Sequence, residues 1–131
     1  MNTDTTLRIA RPTEHLERLV RFYVEGLGLR VLGSFEDHEG VDGVMVGLSR
    51  ARFHLEFTHR QGHRVGRAPT KDHLLVFYMP SHEAWQAAVD RMRAAGHQSV
   101  PSSNPYWDRA GLTFEDPDGY RIVLENSEWS S

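Results

Sequence analysis

The sequence predicts an α+β fold in which one pattern, a strand, a helix and three further strands (βαβββ), occurs twice with a period of about 65 residues. Each half contains one run with apolar residues at helical spacing and several short runs rich in β-branched and aromatic residues. A polar stretch at 59–71 separates a first module at about 5–58 from a second module at about 72–127. Because half of the chain is too short to bury a sheet and a helix alone, we expect one domain over 1–131.

The first module begins with a short strand at 7–11, where apolar and polar residues alternate until Pro12. Thr13 is a candidate N-cap for the helix that follows, and Gly26 and Gly28 are placed to end it. The helix is predicted from five apolar residues at helical spacing: Leu16, Leu19, Val20, Tyr23 and Leu27. The remaining strands of this module are predicted at 29–35, 41–48 and 51–58.

The second module repeats the pattern with a strand at 73–79 and a helix that Ser81 caps and Gly96 ends. One face of this helix is predicted to carry Trp85, Ala88, Val89 and Met92. Three strands are predicted to follow, at 98–101, 109–115 and 120–125. The last two flank the Asp-Pro-Asp-Gly sequence at 116–119, whose turn chemistry predicts an antiparallel hairpin.

Composition narrows the functional classes. The chain has no cysteine, which excludes disulfide scaffolds, zinc ribbons and thiol catalysis and agrees with a reducing compartment. The start of the chain lacks a secretory signal and no apolar run is long enough to span a membrane, so we expect a cytoplasmic protein. A net charge of -3 gives no overall attraction to nucleic acid or anionic lipid, which leaves a small molecule as the expected partner.

Two sequence motifs and the repeated βαβββ pattern resemble those of the vicinal oxygen chelate superfamily. The first motif is Phe22-Tyr23 followed by Gly-Leu-Gly-Leu at 26–29, and the second is Asp-Pro-Asp-Gly-Tyr-Arg-Ile at 116–122. That superfamily includes glyoxalase I, bleomycin-resistance proteins, fosfomycin-resistance enzymes and extradiol dioxygenases. The resemblance extends over about 7–125 and implies that the two modules form a curved, cup-shaped mixed sheet with helices on its outer face. It also implies a site inside the cup and, commonly, a homodimer.

In metal-using members of the superfamily, each module supplies one ligand from its first strand and one from its last. The four positions fall here on Arg8, Glu56, His73 and Val123. Arg8 carries a permanent cation and Val123 has no donor atom, so only Glu56 and His73 remain as candidate ligands. We therefore expect no cofactor, the alternative being one divalent metal such as zinc, nickel, manganese or iron.

Strand alternation predicts which side chains face the cup. The polar residues expected on this face are Arg8, His54, Glu56, Thr58, His73, Arg121 and Glu125. The residues expected to face the helices are Ile9, Phe53, Leu55, Phe57, Leu74, Val76, Ile122 and Leu124. We expect Arg8 to neutralise Glu56 through paired hydrogen bonds, with a solvated floor of a water-filled groove as the alternative. His54 and Glu125 could substitute as ligands, but each lies about 6.5 to 7 Å along its strand from the superfamily position.

Two aromatic residues precede the strand predicted at 109–115. Tyr106 and Trp107 lie on a predicted loop, and their large rings with polar tips could clamp a flat or apolar ligand. The alternative is that Trp107 closes the end of the core while Tyr106 covers it. Trp85 is expected in the core, since its helical spacing already explains it.

These observations predict a metal-independent small-molecule-binding protein that resembles bleomycin-resistance proteins in architecture. Mixed charges in the cup argue against bleomycin itself, a cationic drug. The residues expected to bind the ligand are Arg8, His54, Glu56, His73, Tyr106, Trp107, Arg121 and Glu125. One alternative is a glyoxalase- or dioxygenase-like metal enzyme, a lyase, isomerase or dioxygenase, that uses Glu56 and His73 with noncanonical further ligands. Another is a metal-free enzyme in which Glu56 and His73 exchange a proton.

Overall fold

A computed structural model describes residues 1–130 and shows the predicted α+β fold. The chain divides into two compact units. Unit one comprises 1–24 and 28–65, and unit two comprises 25–27 together with the chain from 66 onward. No helix in residues 1–130 combines the length and apolar character needed to cross a bilayer.

Unit one contains a four-stranded mixed sheet, sheet one, in the order β1-β4-β3-β2. Strand β1 runs parallel to β4, and the other neighbours are antiparallel. The strands are β1 (Leu7–Pro12), β2 (Arg30–His38), β3 (Val41–Gly47) and β4 (Phe53–Arg60). Helix α1 (Leu16–Arg21) follows β1 and continues as a π-helical turn at Phe22–Gly26, which ends at the predicted glycine. The first module therefore has the predicted βαβββ order.

The start of α1 differs from the prediction. Thr13 was expected to cap the helix, but the helix begins at Leu16 and the capping position is His15. The Thr13 hydroxyl instead accepts a hydrogen bond from the His15 amide at 2.9 Å. Thr13 thus stabilises the turn that leads into the helix, two residues earlier than a cap would.

The core of unit one lies between α1 and one face of sheet one. The buried rings of Tyr23 and Phe57 are 4.9 Å apart between centroids, and Phe22 packs edge-on against Tyr23 at the same distance. Leu19 and Leu55 are also buried here. Because Leu55 and Phe57 are the alternate residues of β4, the residues between them lie on the opposite face of the sheet.

Unit two contains a three-stranded mixed sheet, sheet two, in the order β5-β7-β6. Strand β5 (Leu74–Tyr78) runs parallel to β7 (Arg121–Glu125), and β6 (Gly111–Glu115) is antiparallel to β7. Helix α2 (His82–Ala94) has the predicted cap, since the Ser81 hydroxyl accepts a hydrogen bond from the Ala84 amide at 3.2 Å.

The predicted strand at 98–101 is wrong. Among the described residues of this segment, Val100 alone pairs with the sheet, through its amide to the Thr113 carbonyl at 2.8 Å. Pro101 follows immediately and has no N–H to continue a ladder, so the segment makes one bridge and turns away. The second module is therefore a βαββ unit with a single bridging residue in place of its second strand.

The predicted hairpin between β6 and β7 is confirmed. The Asp116 amide donates to the Tyr120 carbonyl at 2.7 Å, and the Asp116 carboxylate accepts from the amides of Asp118 and Tyr120. Gly119 has a φ of 87°, a conformation that favours glycine. The hairpin fixes β7 against β6 and thereby positions Arg121 and Glu125.

The core of unit two contains the predicted apolar face of α2. The buried residues of this unit include Ala88, Val89, Met92, Phe114, Ile122 and Leu124. Trp85 is half-buried, and its indole N–H donates to the Leu124 carbonyl at 2.8 Å. The expected core role of Trp85 therefore includes a polar tie between the helix and β7.

Candidate ligand-binding face

One face of sheet one carries the polar residues of β4 in alternation. Because cross-strand partners share a face, the register places Arg8 beside His54, Ala10 beside Glu56 and Pro12 beside Thr58. We call this surface the polar face and define its polar members as Arg8, His54, Glu56, Thr58 and Arg60. The predicted alternation is confirmed for module one, since Leu55 and Phe57 are buried on the other side.

Arg8 contacts two side chains of the polar face. Its Nε donates to His54 Nε2 at 2.8 Å, and its Nη1 donates to Glu56 Oε2 at 3.4 Å. The predicted Arg8–Glu56 ion pair is therefore confirmed, but with one hydrogen bond in place of the expected pair, because Arg8 Nε bonds His54. The Arg8 side chain is 50% exposed and that of Glu56 is 15% exposed, so the pair lies where a ligand can reach it.

Two glycines of β3 lie beside the polar face and are covered by neighbouring side chains. In the register, Gly47 lies beside His54 and Gly43 lies beside Thr58 on β3. The Phe35 ring occupies the space over Gly43, where a β-carbon would collide with it. Met45, beside Glu56, reaches over towards Gly33. The polar side chains of β4 are thus bordered by the apolar side chains of Phe35 and Met45, and the glycine backbone beneath is buried.

A groove of about 530 Å³ lies at the far end of the polar face. Its walls are formed by the ends of β1, β3 and β4 and by the segment that follows β4: Pro12, Val41, Thr58, Arg60, His63, Arg64 and Val65. The groove was not predicted, because the predicted strand ended at Thr58. The signal was present, since the alternation of His54, Glu56 and Thr58 continues to Arg60.

The corresponding face of sheet two is buried. Arg121 is 6% exposed, and its Nε donates to Glu115 Oε1 at 3.2 Å while its Nη1 donates to the Pro101 carbonyl at 3.1 Å. Glu125 is 4% exposed, and burial raises the pKa of its carboxyl group. Within residues 1–130, Glu125 Oε1 has no hydrogen-bond partner. Arg121 and Glu125, both predicted to bind ligand, are therefore enclosed side chains in this structure.

His73 does not share a face with Arg121 and Glu125. The register pairs Leu74 with Arg121, so His73 lies on the opposite face, where its ring is 6.0 Å from that of Tyr120. Its Nδ1 is 2.9 Å from the Thr70 hydroxyl. The predicted faces of β5 are thus wrong by one residue, and Leu74 and Val76 lie on the side with Arg121 and Val123. The error has a physical cause: four consecutive apolar residues, 74–77, give no alternation from which to assign a face.

The two predicted aromatic residues lie in unit two. Tyr106 and Trp107 belong to a short 3₁₀ turn at Pro105–Asp108, with their rings 5.0 Å apart and nearly perpendicular. Tyr106 is 52% exposed and has the Arg109 guanidinium 5.7 Å from its ring centre, whereas Trp107 is half-buried. The Trp107 carbonyl lies against Gly111, at the start of β6.

Each unit has one superfamily metal position whose side chain cannot coordinate a metal. In unit one the first position is Arg8, whose guanidinium already bonds both His54 and Glu56. In unit two the last position is Val123, which has no donor atom and lies on the opposite face from His73. Residues 1–130 contain no group of three or more His, Cys, Asp or Glu side chains arranged to hold a metal ion.

Comparison with known proteins identifies the family. A model of the YycE-like N-terminal domain matches residues 7–58, and a model of the YycE-like C-terminal domain matches residues 72–126. The uncharacterized protein YycE of Bacillus subtilis is 49% identical over 122 residues, covering 93% of this chain and 88% of that protein. The chain belongs to the YycE-like family.

Solved structures place the YycE-like family among vicinal oxygen chelate folds. The crystal structure of Bacillus subtilis YycE, described as a protein of unknown function, matches with a TM-score of 0.89 at 48% identity, over 98% of this chain and 93% of that one. Glyoxalase I of Leishmania major matches at 0.71 and 22% identity, over 93% and 86%. TnmS3, an antibiotic binding protein from Streptomyces sp. CB03234, matches at 0.64 and 22% identity, over 95% and 97%. The resemblance to the superfamily is thus confirmed, and with it the glyoxalase-like fold.

Proposed function

We propose that this YycE-like protein is a metal-independent small-molecule-binding protein whose ligand lies on the polar face of sheet one. The observation that carries the proposal is the pair of hydrogen bonds from Arg8 to His54 and Glu56. A fixed guanidinium balances the charge of Glu56 in the place where metal-using relatives hold a ligand. A cation bound to Glu56 would lie next to that guanidinium and be repelled by it.

The hydrogen-bonding capacity of the polar face supports binding. A guanidinium has five N–H donors, and the two bonds to His54 and Glu56 leave donors of Arg8 available. The Thr58 hydroxyl adds a group that both donates and accepts. A few fixed polar groups beside apolar surface are typical of small-molecule sites, and Met45 and Phe35 supply that apolar surface.

The name of one fold neighbour is consistent with this proposal. TnmS3 is described as an antibiotic binding protein, so a chain with this fold can hold a small molecule. We therefore extend binding, and not a particular ligand, to the YycE-like chain.

A homodimer is part of the proposal. Several large apolar side chains of unit one are exposed: Leu7, Val31, Leu32 and Leu48. Apolar side chains are more frequent at homodimer interfaces than on the rest of a protein surface. Sedimentation velocity over a range of concentrations should give the mass of two chains, and a single chain at all concentrations would contradict this part of the proposal.

The binding proposal is tested by a fragment screen in the presence of EDTA. We expect hits, detected by thermal shift and confirmed by ¹H–¹⁵N spectra, to perturb amides of β1 and β4 in a saturable way. Arg8→Met and Glu56→Gln should weaken these hits roughly tenfold, because each removes a charge-assisted hydrogen-bonding group. Arg52→Met is the matched control, since the Arg52 side chain is exposed and contacts Asp4 outside the polar face. Hits that require added metal, or that Arg8→Met leaves unchanged, would contradict the proposal.

A further inference from the structure

The groove at the end of the polar face is basic. Arg60 and Arg64 line it together with the His63 imidazole and the Thr58 hydroxyl. Within the described chain, neither of the two guanidinium groups forms an ion pair. The Glu14 carboxylate contacts this segment. Its Oε2 accepts a hydrogen bond from the Val65 amide at 2.9 Å.

The polar face as a whole has an excess of positive charge. The Glu56 carboxylate is already balanced by Arg8. Arg60 lies two residues beyond Thr58 on β4 and adds a positive charge that no carboxylate of the described chain pairs with. Arg64 adds a second such charge at the groove. An oxyanion is the group that two unpaired guanidinium ions and a hydroxyl recognise best, because they offer several N–H and O–H donors with a complementary charge.

We infer that the groove binds an oxyanion group, a carboxylate, phosphate or sulfate, carried by the small molecule that the polar face binds. This inference rests on the proposed function and adds the chemical class of the ligand. Arg60 and Arg64 hold the anionic group, and Thr58 contributes a hydrogen bond.

Strand geometry sets the length of such a ligand. Glu56 and Arg60 are four residues apart on β4, which corresponds to about 13 Å between their positions. A molecule with its anionic group in the groove and a neutral hydrogen-bonding group near Arg8 therefore spans roughly that distance. Its middle lies beside Thr58, opposite Gly43 and the Phe35 ring.

The test uses the full chain and probes that share a ring and carry polar groups of different charge. Benzoate, benzamide and benzylamine share one ring and carry a negative, zero and positive charge, and inorganic phosphate serves as a ring-free oxyanion. Each is titrated at constant, low ionic strength into ¹⁵N-labelled protein, since salt screens exposed charges. The variants are Arg60→Gln and Arg64→Gln, with Arg91→Gln on α2 as the control, because Arg91 is exposed and lies outside the groove.

We expect phosphate and benzoate to perturb the amides of residues 58–65 in a saturable way, with benzamide weaker and benzylamine inactive there. Arg60→Gln and Arg64→Gln should each weaken phosphate binding roughly tenfold, while Arg91→Gln should leave it unchanged. Equal effects in all three variants, or tighter binding of benzylamine than of benzoate, would overturn the inference. So would the lack of any saturable response to phosphate and benzoate.

These outcomes separate the two proposals. If benzamide or benzylamine binds the polar face near Arg8 while the oxyanions do not bind the groove, the inference fails and the proposed binding function stands. If a screened ligand binds elsewhere on the protein while phosphate still occupies the groove, the inference about the groove survives and the proposed polar-face site fails.

Discussion

The two sheets share one arrangement but differ in how far one face is buried. In each unit the first strand runs parallel to the last strand, and one face of the last strand carries polar residues, with Val123 between Arg121 and Glu125 on β7. In sheet one that face is open, and Arg8 is half exposed. In sheet two the matching side chains, Arg121 and Glu125, are almost fully buried.

The two faces differ in the groups of their own unit that contact them. In unit two, the Pro101 carbonyl bonds Arg121, and the Trp107 carbonyl lies against Gly111 beside Glu125. In unit one, by contrast, the side chains of Arg8 and Glu56 contact each other and stay partly exposed. The polar face of sheet one is thus accessible, as the proposed binding requires, whereas Arg121 and Glu125 of sheet two are enclosed.

The largest loss of stability is expected when Gly111 is replaced by alanine. A β-carbon there would meet Glu125 Oε1 and would lie 2.9 Å from the Leu124 carbonyl oxygen and 3.0 Å from that of Trp107. Because two of these contacts are backbone, Gly111→Ala should lower the free energy of unfolding by about 3 kcal/mol, measured by urea denaturation.

Gly43→Ala is the matched substitution in sheet one. There the β-carbon would meet only the Phe35 ring, which can turn outward, so the expected loss is about 1 kcal/mol. A loss at Gly43 equal to or larger than that at Gly111 would contradict the contrast between an open and an enclosed face.

The next largest loss of stability is expected when Arg121 is replaced. Replacing it with methionine would leave the Pro101 carbonyl and the Glu115 carboxylate without their buried donor, at a cost of about 2 kcal/mol. Arg8→Met breaks an ion pair that is half exposed and should cost less than about 1 kcal/mol, seen as a small drop in melting temperature. The two thermal unfolding curves, recorded at one pH, give the comparison directly; similar losses at both positions would contradict it.

A smaller, pH-dependent effect is expected at Glu125. Burial raises the pKa of its carboxyl group, so in the pH range between the unfolded and folded pKa the native state holds a proton that the unfolded state has released. The contribution of Glu125 to the free energy of unfolding is fully present below the pKa that its carboxyl group has in the unfolded chain. It is lost as the pH rises through the higher pKa of the folded state. Glu125→Gln, which stays neutral, should therefore lose less stability than the wild-type chain when urea unfolding is compared from about pH 4 to about pH 8. Glu128→Gln on the exposed tail is the control, and parallel pH profiles for Glu125→Gln and wild type would refute the assignment.

Much of the fold could be predicted because local signals and long-range packing agree. The Ser81 cap, the turn at 116–119 and the alternation of β4 each specify a local structure that the fold retains. Prediction failed where the local signal was missing or was interrupted. The apolar run 74–77 fits either face of a strand, and Pro101 prevents the ladder that its neighbours would form.

The candidate site was only partly predictable for a related reason. The Arg8–Glu56 pair follows from alternation in two neighbouring strands, so its contact could be predicted. The enclosure of Arg121 depends on where the segment at Pro101 lies, and alternation carries no information about that. The groove at Arg60 depends on a turn after β4 whose polar residues resemble an ordinary linker.

The central claim, that binding on the polar face needs no metal, is tested most directly by metal analysis of tag-free protein. Elemental mass spectrometry before and after loading with zinc, nickel, manganese and iron should show far less than one metal ion per chain. Wild type, Glu56→Ala and His73→Ala should give the same result. One tightly held ion per wild-type chain, lost in both variants, would contradict the claim and indicate a metal-dependent enzyme.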